Sequence, residues 1–207
     1  MRRIIYLMGP PCSGKSTIIK EWQKKGGLVL PEFLEPAPDF INNSWLEGVG
    51  SQIRAQEWVI EQHLKKDEII QTLVGDEPLL VERSPLDAVV YGRALGKIVA
   101  ELTEPIVAKQ TWTQGALILL TTDSDLLRRR WIQTRNLSPE GWDQQWGPFS
   151  QSLQQHYSFF EKTFGIPTLS TGIPIDQTMG RLEILIERGG TYGIESLLKP
   201  LSQKEKK

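Results

Sequence analysis

The sequence predicts an α/β protein built on a parallel sheet, and two observations carry that prediction. Apolar runs recur between helical patterns along the chain, which is the signature of alternating strands and crossover helices. The first run, Ile4–Met8, leads directly into Gly9-Pro10-Pro11-Cys12-Ser13-Gly14-Lys15-Ser16-Thr17, which fits the pattern G-x-x-x-x-G-K-[ST]. A buried strand, a tight glycine turn and a helix opening at that turn form the setting of a phosphate-binding loop.

Each element follows from a local pattern. Strands are predicted at residues 4–8, 28–31, 79–82 and 116–121, where apolar residues run together, and at Thr168–Ser170. A helix after the loop carries Ile18, Ile19 and Trp22 on one face. Another helix aligns Ile53, Gln56, Ile60 and His63 at steps of three and four. The stripe Phe149, Leu153, Tyr157, Phe160 and Phe164 is spaced by four, four, three and four, and reads as the core face of a helix. Trp142 and Trp146 continue its phase backwards, and Gly147-Pro148 is expected to break or kink the helix between them. Without an internal repeat or a low-complexity linker, residues 1–207 read as a single domain. Lys204, Lys206 and Lys207 fall in a tail (residues 200–207) expected to be solvated and frayed.

Composition narrows the partners. A formal net charge of −1 gives no electrostatic reason to expect nucleic acid or an anionic membrane surface. The lone cysteine, Cys12, cannot form an intrachain disulfide, so a reducing cytoplasm is the expected setting. The apolar run after Met1-Arg2-Arg3 ends at Gly9-Pro10, too early for a secretory signal, and no stretch approaches roughly 18 apolar residues.

The motifs point to polyphosphate chemistry. Main-chain N–H groups of residues 9–17 would converge on phosphate oxygens, Lys15 would reach the β- and γ-phosphates of ATP, and the Ser16 hydroxyl would ligate Mg²⁺. The strand at 79–82 ends in Glu82, where a carboxylate would help hold that cation, and Arg83 follows it into the same crevice. After the second strand, Glu32 and Glu35 lie in a proline-stiffened segment, and one of them could accept a proton from an attacking hydroxyl. Arg128, Arg129, Arg130 and Arg135 lie on a basic helix. Successive residues turn by about 100°, so only some of these can clamp phosphate oxygens, Arg128 and Arg135 sharing a face. Gln56, held among apolar neighbours, has an amide that could read the edge of a base, and Tyr91 is a further candidate for the acceptor side.

Taken in order, residues 9–17, Glu35-Pro36, Gln56, Glu82-Arg83-Ser84 and the arginine helix resemble the deoxynucleoside kinase and thymidylate kinase-like group of phosphate-loop kinases, over roughly residues 3–165. The resemblance implies a three-layer P-loop NTPase fold: a parallel, about five-stranded sheet flanked by helices, with a small arginine-bearing lid at roughly 128–147. It implies transfer of the γ-phosphoryl group of ATP, with Mg²⁺, to a nucleoside or nucleoside monophosphate. Within it Glu35 is the base, Gln56 reads the acceptor's ring, Glu82 helps hold the metal and Arg83 positions the acceptor. Lys15 and the lid arginines Arg128, Arg130 or Arg135 complete the catalytic set, and a homodimer is a further expectation. Phe40 is the nearest aromatic to the place where the family carries a tryptophan. Two other functions stay open: a kinase of another small-molecule hydroxyl (antibiotic, sugar or metabolite), and a nucleotide-binding switch or ATPase with no acceptor.

Overall fold

A computed structural model describes residues 2–45, 47–188, 193, 194 and 197. The expected tail at 200–207 lies outside these residues, as do most of residues 189–193, whose composition reads as a connector. Five parallel strands, β1 (Ile4–Met8), β2 (Leu28–Leu30), β3 (Leu79–Glu82), β4 (Ala116–Thr121) and β5 (Thr168–Ser170), form one sheet in the order β2-β3-β1-β4-β5. The α/β fold and its five-stranded parallel sheet are as the sequence predicts. β2 stops one residue early, at Leu30.

Alternation along the strands sorts their side chains into two cores. Ile4, Tyr6 and Met8 of β1 join Leu79, Val81, Leu117 and Leu119 on one face. That face is covered by α3 (Val49–Thr72), α4 (Pro85–Leu95), α5 (Lys97–Lys109) and α8 (Gly147–Phe164). Ile5 and Leu7 join Leu80, Ile118 and Leu120 on the other, under α1 (Lys15–Lys24) and α9 (Ile175–Arg188). Burial on both faces explains why the central strands β1, β3 and β4 read as nearly unbroken apolar runs.

Two connections position the site. From β1 the chain crosses through α1 towards β2, whereas from β3 it crosses past β1 to β4, so the strand order reverses beside β1. Such a reversal leaves a crevice at the carboxyl edge, where ligands bind in open α/β sheets. α6 (Ser124–Arg135) rises beyond β4, followed by the short α7 (Pro139–Gly141) and a single π turn over Trp142–Trp146. The expected break at Gly147-Pro148 takes a milder form. Pro148 falls in the first turn of α8, where the missing N–H costs nothing, and the wide turn before it keeps both Trp142 and Trp146 buried.

Candidate active site

A cavity of about 670 Å³ opens at that carboxyl edge. Its floor is the β1–α1 loop. Gly9 holds a φ of +137° and packs so closely on β4 that a Cβ there would stand 2.8 Å from the Leu120 carbonyl oxygen. Gly14, at φ +97°, opens α1 with its N-terminus facing the cavity, and the Thr171 side chain closes behind it. The Thr171 hydroxyl donates to the Ser13 carbonyl at 2.6 Å, tying the loop to the end of β5.

Lys15 is buried, and its ammonium donates to the carbonyls of Gly9 at 2.8 Å and Pro10 at 2.7 Å. Burial, with the Arg83 guanidinium adding to it, lowers its pKa to about 8. The Ser16 hydroxyl donates to Glu82 Oε1 at 2.8 Å, so a hydroxyl on α1 and a carboxylate from β3 meet across the crevice. Hard oxygen donors of this kind suit Mg²⁺. Among the described residues no group of three or more His, Cys, Asp or Glu forms a metal centre, so a cation here would need phosphate oxygens to complete its shell.

Arg83 follows Glu82 with a φ of +66°, a strained backbone for a residue with a Cβ. That turn directs its guanidinium inward, where it pairs with Glu32 at 2.5 Å, donates to the Gly9 carbonyl at 3.2 Å and lies 4.9 Å from the centre of the Tyr91 ring. Ser84 caps α4, and Asp87 three residues on returns the bond as a capping box. The Asp87 carboxylate also accepts from the Gly9 N–H at 3.3 Å and the Tyr157 hydroxyl at 2.5 Å. One buried acid thus joins the phosphate loop, α4 and α8. Burial works to raise the Glu32 carboxyl's pKa, but the charges of Arg83 and Lys15 outweigh it and hold the group below the usual range.

The structure separates the two acids that follow β2. Glu32 is the first carboxylate beyond the strand end and lines the cavity. Glu35, expected as the base, lies outside the lining; it is exposed and ion-paired with Lys65 at 2.6 Å on the outer side of α3. Three further residues of chain, turning away after Pro31, carry it off the sheet edge. The arginines also divide. Arg130 lines the cavity and donates to the Thr171 carbonyl at 2.9 Å, and Arg135 lines it while lying 4.4 Å over the Trp146 ring. Arg128 is instead drawn outward to Asp143, at 3.1 Å, away from the lining.

The far lobe is aromatic. Trp45 and Phe149 lie nearly parallel, 17° apart with ring centres 6.4 Å apart, and Tyr91 packs on both at 5.6 and 6.0 Å. Phe40, the expected aromatic, instead supports Arg54, whose guanidinium is 4.3 Å over its ring. Gln56 is completely buried at the edge of this lobe. Its Nε2 donates to the Ala88 carbonyl at 3.0 Å, while its Oε1 has no hydrogen-bond partner among the described residues. The amide orientation is settled chemically, because only the NH₂ group can face a carbonyl. Cys12 also lines the cavity, and burial pushes its thiol up, which keeps it protonated. His63, on the same helix face as Gln56, is buried, and burial lowers its pKa well below the ordinary value, so it is neutral.

Asp87, Trp45 and Thr171 escaped the sequence reading, and Phe149 was read there as part of a core face. Asp87 alone had a local signal, the Ser84-Pro85-Leu86-Asp87 capping pattern. The others reach the cavity only through long-range folding.

A family model described as an AAA domain matches residues 4–164. Deoxyadenosine kinase from M. mycoides with products dCMP and a flexible dCDP bound has a TM-score of 0.70 at 16% identity, the match covering 89% of this chain and 99% of that one. The same kinase with bound dATP scores 0.69 at 16% identity, with the same coverage of both chains. Thymidylate kinase from Candida albicans scores 0.65 at 15% identity, over 90% of this chain and 92% of that one. At these identities the likeness establishes the fold. A comparison with curated proteins returns no match. No helix among the described residues is long and apolar enough to cross a membrane.

Proposed function

We propose, from the premise that this chain belongs to the AAA domain family, that it is a kinase moving the γ-phosphoryl group of ATP onto the hydroxyl of a nucleoside. The observation that carries this reading is the meeting, in one cavity, of Lys15, the Ser16–Glu82 pair and the Glu32–Arg83 pair. A switch or simple ATPase has no use for a carboxylate–guanidinium pair facing an aromatic lobe beside the phosphate loop. A volume of about 670 Å³ is ample for a sugar and base next to a polyphosphate.

The donor's phosphates would sit on the N–H groups of the loop and the N-terminus of α1, and Lys15 would exchange its own loop's carbonyls for phosphate oxygens. Ser16 and Glu82 would hold Mg²⁺, which when bound neutralises phosphate charge. Glu32, ionised at neutral pH, would take the proton of the attacking hydroxyl, and Arg83 would fix the carboxylate's direction. Arg130 and Arg135 would add positive charge around the transferring group.

The acceptor class follows from the far lobe. Trp45 and Phe149 offer nearly parallel faces suited to a flat ring, and Gln56 Oε1 calls for a ring or exocyclic N–H. The relatives of known structure bind dCMP, dCDP or dATP, which accords with a pocket for such ligands. A nucleoside is favoured over its monophosphate because Glu32 would repel an anionic acceptor.

An acceptor screen with ATP and Mg²⁺ tests this. Transfer to at least one nucleoside is expected, with a clear preference for bases that carry an N–H donor. Tight ATP binding with no transfer to any nucleoside would overturn the acceptor assignment, and transfer to sugar or antibiotic hydroxyls would replace it.

A further inference from the structure

Lys66 is one of the largest fully buried side chains among the described residues, only 1% exposed, and it does not line the cavity. An ammonium taken out of water must be paired or hydrogen-bonded to be tolerated. The partners of Lys66 are two main-chain oxygens: its Nζ donates to the carbonyl of Glu82 at 2.8 Å and to the carbonyl of Glu32 at 3.1 Å. These are the residues whose carboxylates face the site, one at the end of β3 and one just past the end of β2.

The location has a physical reason. The β2–β3 register ends at Leu30 opposite Val81, which would bring Pro31 beside Glu82. Leu79 and Arg83 donate towards β1, so by alternation Glu82 turns its carbonyl towards β2, but the pairing goes no further than Leu30 and the two strand ends part just where the carboxylates leave them. Lys66, reaching in from the C-terminal third of α3, donates to a carbonyl on each side of that gap. The carboxylates of Glu32, Asp87 and Glu82 offset the burial and the nearby Arg83 guanidinium, which together lower the ammonium's pKa to about 8.

We infer that Lys66 is a positioning residue: by clipping the Glu32 and Glu82 carbonyls together it sets the spacing between the proton-accepting and metal-facing carboxylates. The inference rests on the kinase reading for the role of Glu32, but not for that of Glu82. It touches neither donor nor acceptor and acts through the strand ends.

The test compares wild type with Lys66→Met, which keeps the side chain's bulk and removes the donors. ATP affinity is measured by calorimetry with Mg²⁺ and in EDTA, alongside the Mg²⁺ concentration for half-maximal rate. In the variant, metal-free ATP should bind as in wild type, since the phosphate loop is untouched. The Mg²⁺-dependent gain in affinity should shrink, the half-saturating Mg²⁺ should rise and kcat should fall, each by about tenfold. A purely structural lysine would lower the melting temperature and leave the Mg²⁺ dependence of the folded protein unchanged. That result, or a wild type with no Mg²⁺-dependent gain, overturns the inference. Should Lys66→Met not fold, Lys66→Gln, which keeps one shorter donor group, is measured with the same expected and overturning results. If wild type binds ATP with Mg²⁺ but phosphorylates nothing, the kinase reading fails while the affinity ratio still judges Lys66.

Discussion

The two halves of the cavity are built in different ways. The phosphate-loop half comes from one contiguous segment, residues 9–17, and in the proposed reading its function would depend on main-chain N–H groups and one lysine. The acceptor half is assembled from side chains that are distant in sequence: Glu32, Trp45, Gln56, Arg83, Tyr91 and Phe149. A main-chain site places few demands on side-chain identity, whereas a side-chain site loses its function with single atoms. The donor half should therefore respond to backbone and charge, and the acceptor half to the identity of one group at a time.

The sharpest way to break this comparison lies with the two acids after β2. Glu32→Gln removes the proton acceptor while keeping shape, and kcat for a nucleoside should fall by about 10²–10⁴-fold. Glu35→Gln removes only an exposed ion pair with Lys65 and should change kcat by less than about twofold. Steady-state kinetics on both variants decide the matter; equal losses would reinstate Glu35 as the base. On the donor side, Lys15→Met should cost about 10²–10³-fold in kcat. Lys15 also sets a pH dependence. Its pKa in the free protein is about 8 and must rise when phosphates surround it, so the unliganded protein loses the proton first. ATP affinity should therefore weaken as pH rises through about 8, by at most about tenfold per pH unit. Calorimetry across that range should find the slope in wild type and not in Lys15→Met.

The same contrast governs how much the sequence revealed. The fold was legible because strands buried on both faces print as apolar runs, and the bounds of β1, β3 and β4 follow those runs to the residue. The edge strands β2 and β5 are short and less buried, and the apolar run at β2 goes one residue past the strand. The phosphate loop was legible because its chemistry is contiguous. Glu32 and Glu35 are indistinguishable by residue type, and their separation depends on how the chain turns after Pro31. Arg128 and Arg130 differ only in helical phase, which places one beside Asp143 and the other beside Thr171. Lys66 left no local trace, since its partners are carbonyls supplied by two other elements.

A smaller effect should come from Gln56, where one atom is at issue. With Nε2 committed to Ala88, only Oε1 is left to address the proposed acceptor. Gln56→Leu should raise KM for an N–H-bearing nucleoside by about tenfold, in line with roughly 1–3 kcal/mol for a buried hydrogen bond. The KM for ATP should stay unchanged, because Gln56 does not face the phosphate loop. A parallel rise in both constants would mean that the substitution had distorted α3 rather than removed a recognition contact.

The smallest difference separates the lid arginines, and it tests the boundary between the halves. Arg130 reaches the cavity from α6 and is held by the carbonyl of Thr171, whose hydroxyl donates to the Ser13 carbonyl in the phosphate loop. Arg130→Ala should lower kcat by about tenfold, the smaller end of what a positioned charge contributes. Arg128→Ala should leave kcat unchanged, and its exposed pair with Asp143 should be worth no more than about 1 kcal/mol in thermal stability. The opposite result would be a loss of kcat in Arg128→Ala with no change in the melting temperature of the free protein. In that event α6 turns on binding, and the arginine face belongs to a moving lid; equal activity of Arg128→Ala and wild type instead means that its helical phase alone excludes it from the chemistry.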